Sequence, residues 1–121
     1  MTLHLPARRA NKYGAQATTL DGIRFDSKKE ARRYAELLLL QRAGEIRDLE
    51  RQVEFPLLTT HHRGAEVHRV GSYFADFQYR EGPTGILRIE DAKSPATAKN
   101  PLYRLKRKMV MLAYSVEIIE V

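Results

Sequence analysis

The sequence predicts one α/β domain in which a mixed β-sheet is flanked by helices, with the elements in the order α-β-β-β-α-β. Three observations lead to this fold class. An alanine- and leucine-rich stretch from Ser27 to Gly44 has high helix propensity. Three runs rich in β-branched and aromatic residues follow it, and a second helical pattern then precedes an apolar end over 116–121.

Composition limits the kind of protein this is. A chain of 121 residues is long enough for one core and too short for two ordinary domains. No apolar run approaches the length of a membrane span, and residues 1–9 lack the features of a secretory leader, so we expect the protein to stay inside the cell. With no cysteine, any metal must be held by oxygen or by histidine.

Residues 1–20 are basic, rich in small residues and without a sustained period, so we predict a flexible N-terminal arm before a single domain over 21–121. The arm is interpreted as a solvated tail in preference to a segment that contacts DNA. Leu20 to Phe25 is predicted to be a turn and a short extended piece that leads into the first helix.

The first helix is predicted to begin at Ser27 and to end near Gly44, where a C-terminal glycine belongs. Ser27 and Glu30 have the spacing of a capping box, and Glu30 also lies on the apolar stripe of the helix. Two roles for Glu30 therefore compete, a local cap and a site residue, and the local spacing favours the cap. The stripe consists of Ala31, Tyr34, Leu37, Leu38 and Gln41.

The next two strands form a predicted hairpin. Residues 49–58 are expected to place Val53, Phe55 and Leu57 on one face, and residues 66–79 to form the second strand with a bulge at Gly71. Three histidines lie near the loop between them, and none has the helical spacing that puts two imidazoles on one metal. We interpret them as polar hairpin residues rather than a zinc site: His61, His62 and His68.

The predicted site lies where the third strand ends. Alternation along residues 85–93 puts Asp91 and Lys93 on the same face as Leu87 and Ile89, so an acid and a lysine continue a buried row. A turn over 80–85 would pair this strand with residues 73–79 and bring Asp76 near Asp91 and Lys93. Two close carboxylates repel each other unless a cation lies between them, which predicts a divalent metal site.

The second helix is predicted to start at Pro101, with a buried apolar stripe of Leu102, Leu105, Met109, Leu112 and Ala113. Residues 92–116 contain six basic residues and no acid, within a chain of net charge +6. This is the charge pattern that binding to a phosphate backbone needs, although a solvated helix face has the same pattern. The candidate nucleic-acid-binding residues are Lys99, Arg104, Lys106, Arg107 and Lys108.

Three segments resemble the signature segments of the PD-(D/E)XK nuclease superfamily, namely 25–31, 73–77 and 90–93. More narrowly, residues 12–121 resemble a small phage-borne family that is known only as a domain of unknown function. The resemblance implies a restriction-endonuclease-like core. Ala75 replaces the proline of the superfamily's name, and the acid two residues before Lys93 is Asp91, so Glu90 is the less expected ligand.

The resemblance also implies site roles. Asp76 and Asp91 would hold Mg²⁺, for which Mn²⁺ would substitute, and Glu30 would complete the acidic cluster. Lys93 would orient the attacking water and neutralise charge on the phosphate, and Gln52 would be a further site residue. The implied protein is a DNA endonuclease that hydrolyses phosphodiester bonds in the cytoplasm of a bacterial host. Because a chain this small has little room for a separate sequence-reading module, we expect it to select branched or Holliday-junction DNA. Such substrates are cut on two strands, which predicts a homodimer. No membrane and no organic cofactor are implied.

Two alternatives stay open from the sequence. A non-catalytic nucleic-acid-binding module would keep the fold and the basic helix, and a phage assembly or interaction protein would need neither the acids nor the lysine. Lys93 itself has a structural interpretation as the ion-pair partner of Asp91. Such a pair is worth about 1 kcal/mol or less at a surface, which is little reason to end a buried row with it.

Overall fold

The computed structural model describes residues 18–121. The elements are β1 Thr18–Leu20, β2 Ile23–Phe25, α1 Lys28–Arg42, β3 Ile46–Thr60, β4 Val67–Glu81, β5 Leu87–Asp91, α2 Pro95–Ala98, α3 Pro101–Tyr114 and β6 Ile118–Glu120. The predicted α/β class is confirmed. The β1–β2 hairpin and the one-turn helix α2 are additions to the predicted order. Most of the predicted N-terminal arm lies outside the described residues, and its last three residues form β1.

The main sheet has the strand order β3-β4-β5-β6, in which the first two pairings are antiparallel and the last is parallel. This is the predicted mixed sheet, and α3 lies in the crossover between its two parallel strands. On β5, Ile89 belongs to the apolar cluster that includes Val110 of α3, whereas the neighbouring Glu90 binds Arg33 of α1. Successive strand residues point to opposite faces, so the two long helices cover opposite sides of the sheet.

Both ends of α1 follow the predicted signals. The Ser27 hydroxyl accepts a hydrogen bond from the Glu30 amide at 3.1 Å, which satisfies one unpaired donor of the first turn. At the other end Gly44 has a φ of +78°, a conformation that glycine adopts without steric cost. Only half of the capping box forms, because the Glu30 carboxylate is directed to another partner.

The β3–β4 hairpin is longer than predicted, with fifteen residues in each strand. Phe55 and Leu57 are buried as expected. The register shifts between Leu57, which pairs with Gly71, and Leu58, which pairs with Arg69, so the predicted bulge near Gly71 is confirmed. Residues 58–70 are all exposed, and the hairpin therefore extends beyond the core with its three histidines at this end.

The predicted orientation of α3 is wrong. Leu105 is 57% exposed and Leu112 is 73% exposed, and the rest of the predicted apolar stripe faces solvent with them. The helix instead buries Val110 and partly buries Tyr103 and Met111. Because α3 carries apolar side chains on two sides, its periodicity does not tell which of them meets the sheet.

Candidate functional site

A row of polar residues crosses the main sheet, and strand register places it there. Phe77 pairs with Glu90, so the next residues along the two strands, Asp76 and Asp91, lie opposite each other. On the other side of β4, Arg51 pairs with Phe77 and Val53 pairs with Ala75, which sets Gln52 opposite Asp76. Glu120 of β6 pairs with Asp91. One row of Gln52, Asp76, Asp91 and Glu120 thus crosses all four strands.

Asp76 is the centre of this row. Its Oδ2 accepts a hydrogen bond from the Ala92 amide at 2.8 Å, and its Oδ1 lies 3.1 Å from Lys93 Nζ and 3.3 Å from Gln52 Nε2. The Asp76 amide donates to Asp91 Oδ1 at 3.0 Å. Backbone amides hold both aspartates, because each carboxylate accepts from the strand beside it. The predicted approach of Asp76, Asp91 and Lys93 is what the structure shows.

Lys93 lies between the two aspartates. Its ammonium is 3.1 Å from Asp76 Oδ1 and 3.8 Å from Asp91 Oδ1, and its side chain is 23% exposed. Burial works to lower the pKa of Lys93, but the attraction of Asp76 and Asp91 outweighs it and leaves the pKa raised. The lysine is therefore a charged group that both acids share at the edge of solvent.

Glu30 joins the row from α1 through one amide. Gln52 Nε2 donates to Glu30 Oε1 at 3.0 Å as well as contacting Asp76, and the Arg51 guanidinium lies 3.8 Å from the same Glu30 oxygen. Gln52 has a φ of +50°, in the left-handed region that residues other than glycine seldom adopt. Backbone strain of this kind is concentrated at functional sites. Because Gln52 links Glu30 to Asp76, and Lys93 links Asp76 to Asp91, all five predicted catalytic residues belong to one connected cluster.

Two acids of this cluster, Glu30 and Asp91, resist ionisation. Burial raises the pKa of Glu30 from 4.5 to about 7, and the nearby Asp76 charge adds to the rise. Burial likewise raises the pKa of Asp91 from 3.8 to about 6, although the attraction of Lys93 opposes it. Three carboxylates here face two cations, Lys93 and Arg51, so the cluster is short of positive charge when every acid is ionised.

These shifts give a pH dependence of stability for the metal-free protein. The pKa of Glu30 is higher in the folded chain than in the unfolded chain, so ionisation of Glu30 favours unfolding. The contribution of protonated Glu30 to the free energy of unfolding is therefore lost as pH rises from about 4.5 to about 7. One such group lowers the free energy of unfolding by at most about 1.4 kcal/mol per pH unit. We expect Glu30→Gln to flatten the profile over this range, measured by urea denaturation in EDTA. An unchanged profile would contradict the assignment.

Glu90 lies next to Asp91 but belongs to another network. Arg33 Nε and Nη2 donate to its two carboxylate oxygens, each at 2.7 Å, and the Tyr79 hydroxyl also donates to it. This network and burial raise the pKa of Tyr79 to about 12, with burial the larger cause. These hydrogen bonds occupy the Glu90 carboxylate on the α1 side of the sheet, so Glu90 has a structural role. This agrees with the sequence, which made Glu90 a less expected metal ligand than Asp91.

Two functional candidates were missed in the sequence. The Tyr103 hydroxyl lies 3.4 Å from Asp91 Oδ2 and 3.2 Å from Glu120 Oε2, and Arg107 Nη1 lies 3.7 Å from Glu120 Oε1. The register of β6 against β5 brings Glu120 into the row, and no local pattern specifies that register. Tyr103 was not predicted as a site residue because the sequence pattern placed the wrong face of α3 against the core.

Four of the five predicted nucleic-acid-binding residues line one groove of about 620 Å³, together with Tyr103 and Glu120: Lys99, Arg104, Arg107 and Lys108. Arg107 is paired with Glu120. Among residues 18–121, the other three make no ion pair and keep their charge available for a ligand. Lys106, the fifth, lines a second groove on the other side of Tyr103.

The carboxylate oxygens of this cluster are suited to binding a hard cation such as Mg²⁺. Asp76 and Asp91 supply the carboxylate oxygens that Mg²⁺ prefers, and Mg²⁺ is commonly bound by one or two carboxylates with water and phosphate completing its shell. In the described part of the chain, no three acidic or histidine side chains are grouped as ligands of one ion. The geometry therefore supports a two-aspartate site, with Glu30 connected through Gln52 rather than placed as a third ligand.

Fold and site together define a small α/β protein with an acid–lysine cluster on its sheet and a basic groove beside it. The chain belongs to a family described as a protein of unknown function (DUF1064), whose model matches residues 10–119. The predicted membership of such a family is confirmed at this level. Neither the curated proteins nor the solved structures include a match. No helix within 18–121 has the length and apolar character to cross a membrane.

Proposed function

We propose that this protein is a Mg²⁺-dependent DNA endonuclease of the PD-(D/E)XK type. The observation that carries the proposal is the connected cluster of Asp76, Asp91 and Lys93, to which Gln52 joins Glu30. An acid on each of two paired strands, with a lysine two residues beyond the second acid, is the arrangement that the sequence resemblance implied. The acids are buried, and Lys93, whose side chain is 23% exposed, connects them to the edge of solvent where a phosphate could approach.

In this proposal Asp76 and Asp91 hold the metal. When bound, Mg²⁺ would polarise the phosphoryl oxygen and lower the pKa of a water molecule for in-line attack. The two aspartates are already fixed by backbone amides, so they need little reorganisation to bind a cation. A cation would also offset the burial that raises the pKa of Asp91.

Lys93 has the role of a mobile positive charge. Its ammonium shares two carboxylates in the metal-free protein, and its stem is long enough to turn toward a phosphate once another cation neutralises them. There it would orient the attacking water and stabilise the charge that develops on the phosphate. Gln52 keeps Glu30 and Asp76 in register, which makes it a positioning residue.

The basic groove supports a nucleic acid as the substrate. Lys99, Arg104 and Lys108 lie along the groove that also contains Tyr103, and Tyr103 contacts Asp91 of the cluster. A phosphate backbone that follows these cations would pass beside the acids. A chain of this size leaves little room for a separate sequence-reading module, so we propose that it selects DNA by structure, with branched or junction DNA as the substrate class.

The same helix supports a homodimer. Leu105, Met109 and Leu112 form an apolar ridge on the solvent side of α3, and soluble monomers rarely expose such a continuous surface. A second copy of this chain would cover the ridge through a two-fold axis, because one ridge is complementary to another. Leu105 also lines the basic groove, so the contact would border that groove. A dimer would bring two active sites to the two strands of a branched substrate.

We expect Leu105→Glu with Leu112→Glu to make the protein monomeric. Two carboxylates on each ridge would face two more across the symmetry axis, at a cost of several kcal/mol. Sedimentation velocity over a concentration series would measure the change. Leu39→Glu, at a 64% exposed leucine of α1, is the control and should leave the assembly unchanged. A double variant that still sediments as the wild type would place the interface elsewhere.

The three unpaired cations of the basic groove should dominate the salt dependence of DNA binding. Each phosphate contact contributes about 0.9 to the slope of log K against log salt. We expect Arg104→Gln with Lys108→Gln to lower the magnitude of this slope by about 2, measured by fluorescence anisotropy over a range of salt concentrations. Arg32→Gln, on exposed α1 surface, should leave the slope unchanged. Equal slopes for all three proteins would exclude this groove from the binding site.

One assay tests the proposed function directly. The full chain is incubated with linear duplex, single-stranded and four-way-junction DNA, with Mg²⁺ and with EDTA. Cleavage that requires Mg²⁺ supports the endonuclease. Salt-sensitive binding without any cleavage would favour the binding module instead, a candidate consistent with the way Lys93 neutralises both aspartates in the metal-free cluster.

A further inference from the structure

An exposed phenylalanine lies beside the acidic cluster. Phe74 and Asp76 are two residues apart on β4, so their Cα atoms lie about 7 Å apart. Asp76 is buried, whereas Phe74 is 49% exposed.

Phe74 forms part of a groove of about 320 Å³ that reaches the cluster itself. Lys93 and Lys106 contribute its positive charge, and Leu102 and Tyr103 contribute further apolar surface. Lys106 Nζ lies 3.5 Å from the Ser72 carbonyl oxygen, and within the described residues it makes no ion pair. The groove therefore combines an open aromatic ring with one ammonium shared by the acids and another without a carboxylate partner.

We propose that this groove binds one unpaired nucleobase next to the scissile phosphate, with the base stacked on Phe74 and its phosphates near Lys93 and Lys106. The proposal rests on the proposed function and specifies its substrate: a nucleic acid with at least one unstacked nucleotide at the site of cleavage. The charge argues for a nucleotide over an apolar peptide, because an apolar side chain would leave the Lys106 ammonium without a counter-charge.

The requirement for an unpaired nucleotide follows from stacking on the exposed ring of Phe74. In a continuous duplex both faces of every base are covered by its neighbours, so a side chain stacks only on a base that has left the helix or on a strand end. Junctions, bulges and single strands supply such bases. Aromatic stacking also tolerates any base, because every base has a π-face, and the groove would thus select by structure and not by sequence.

The test uses binding in EDTA, so that no cleavage is needed. A DNA duplex with 2-aminopurine in a single-nucleotide bulge is compared with the matched, fully paired duplex, by anisotropy for affinity and by 2-aminopurine fluorescence for stacking. We expect the wild-type protein to prefer the bulge and to quench its fluorescence. Phe74→Leu, which keeps apolar volume without a π-face, should lower this preference by roughly tenfold and lose the quench. Phe74→Trp should keep both.

The control is Leu39→Ala, an exposed apolar residue of α1. Preference and quenching that are the same in Phe74→Leu and in the wild type would overturn the subsite, whether or not the protein cleaves DNA. Phe74-dependent quenching in a protein that shows no Mg²⁺-dependent cleavage would support the subsite and remove the endonuclease. The two failures are therefore distinguishable, since one is measured as fluorescence without metal and the other as product with metal.

Discussion

Asp76→Asn is expected to lower the rate of Mg²⁺-dependent DNA cleavage by about a thousandfold or more. The substitution keeps the shape of the side chain and an oxygen for the Ala92 amide, which donates to Asp76 Oδ2 in the wild type. It removes the charge that would hold the metal, and a metal ion contributes several kcal/mol of charge stabilisation in the transition state. Single-turnover cleavage measures this loss.

Lys93→Met should have an effect of similar size for a different reason. The variant keeps the metal ligands and most of the lysine's length, but it has no charge to offset the negative phosphate during attack. We expect DNA binding by both variants to remain within a few-fold of the wild type, because the unpaired cations of the basic groove supply the attraction.

The matched control is Glu117→Gln, which removes an exposed acid between α3 and β6 at a distance from the row. It changes the net charge by the same amount as Asp76→Asn and should leave cleavage unchanged. Cleavage by Asp76→Asn or Lys93→Met at the wild-type rate would remove the two-aspartate site from the mechanism. A loss of cleavage in Glu117→Gln of the same size would show that the assay reports overall charge.

The convergence of Asp76, Asp91 and Lys93 was predictable because it depends on short-range rules. Side chains alternate along a strand with a period of two, and a short turn fixes which residues of a hairpin are opposite each other. The glycines and the apolar runs around residues 80–85 were enough to align Asp76 with Asp91 within this register. The start of α1 followed from Ser27 in the same way, since an N-cap hydrogen bond is a local interaction.

The features that sequence did not predict depend on tertiary contacts. Glu120 enters the row only through the parallel pairing of β5 with β6, which needs the whole α3 crossover to be in place. The left-handed conformation of Gln52 has no signal in its residue type. The sequence left two roles for Glu30, a helix-capping residue and a site residue. The Glu30 carboxylate is directed to Gln52 because β3 passes beside the first turn of α1.

The orientation of α3 was mispredicted for an energetic reason. A helix usually buries its most apolar side, yet α3 buries Val110 and packs the rings of Tyr103 and Tyr114 against Tyr73 and Phe55, while it leaves Leu105 and Leu112 in solvent. Tyrosine satisfies both needs of this interface, an apolar ring for packing and a hydroxyl for Asp91 or the Pro56 carbonyl. An exposed leucine ridge is unfavourable for a monomer, which is the basis of our proposal that a second copy of the chain covers it.

Arg33→Met is expected to cost about 3 kcal/mol of the free energy of unfolding, the largest effect on stability that we expect from a substitution outside the site. Glu90 is 2% exposed, and Arg33 is its only cationic partner among the described residues, with two hydrogen bonds of 2.7 Å. Removing one member of a buried ion pair leaves an uncompensated charge, which costs more than the pair contributes. Urea denaturation measures the loss.

Arg32→Met is the matched control, because Arg32 is the adjacent arginine on α1 and its side chain is exposed. It should change stability by less than about 0.5 kcal/mol. The double variant Arg33→Met with Glu90→Gln should recover part of the loss, since the buried charge is then gone. Equal stabilities for Arg33→Met and Arg32→Met would contradict the structural role of Glu90.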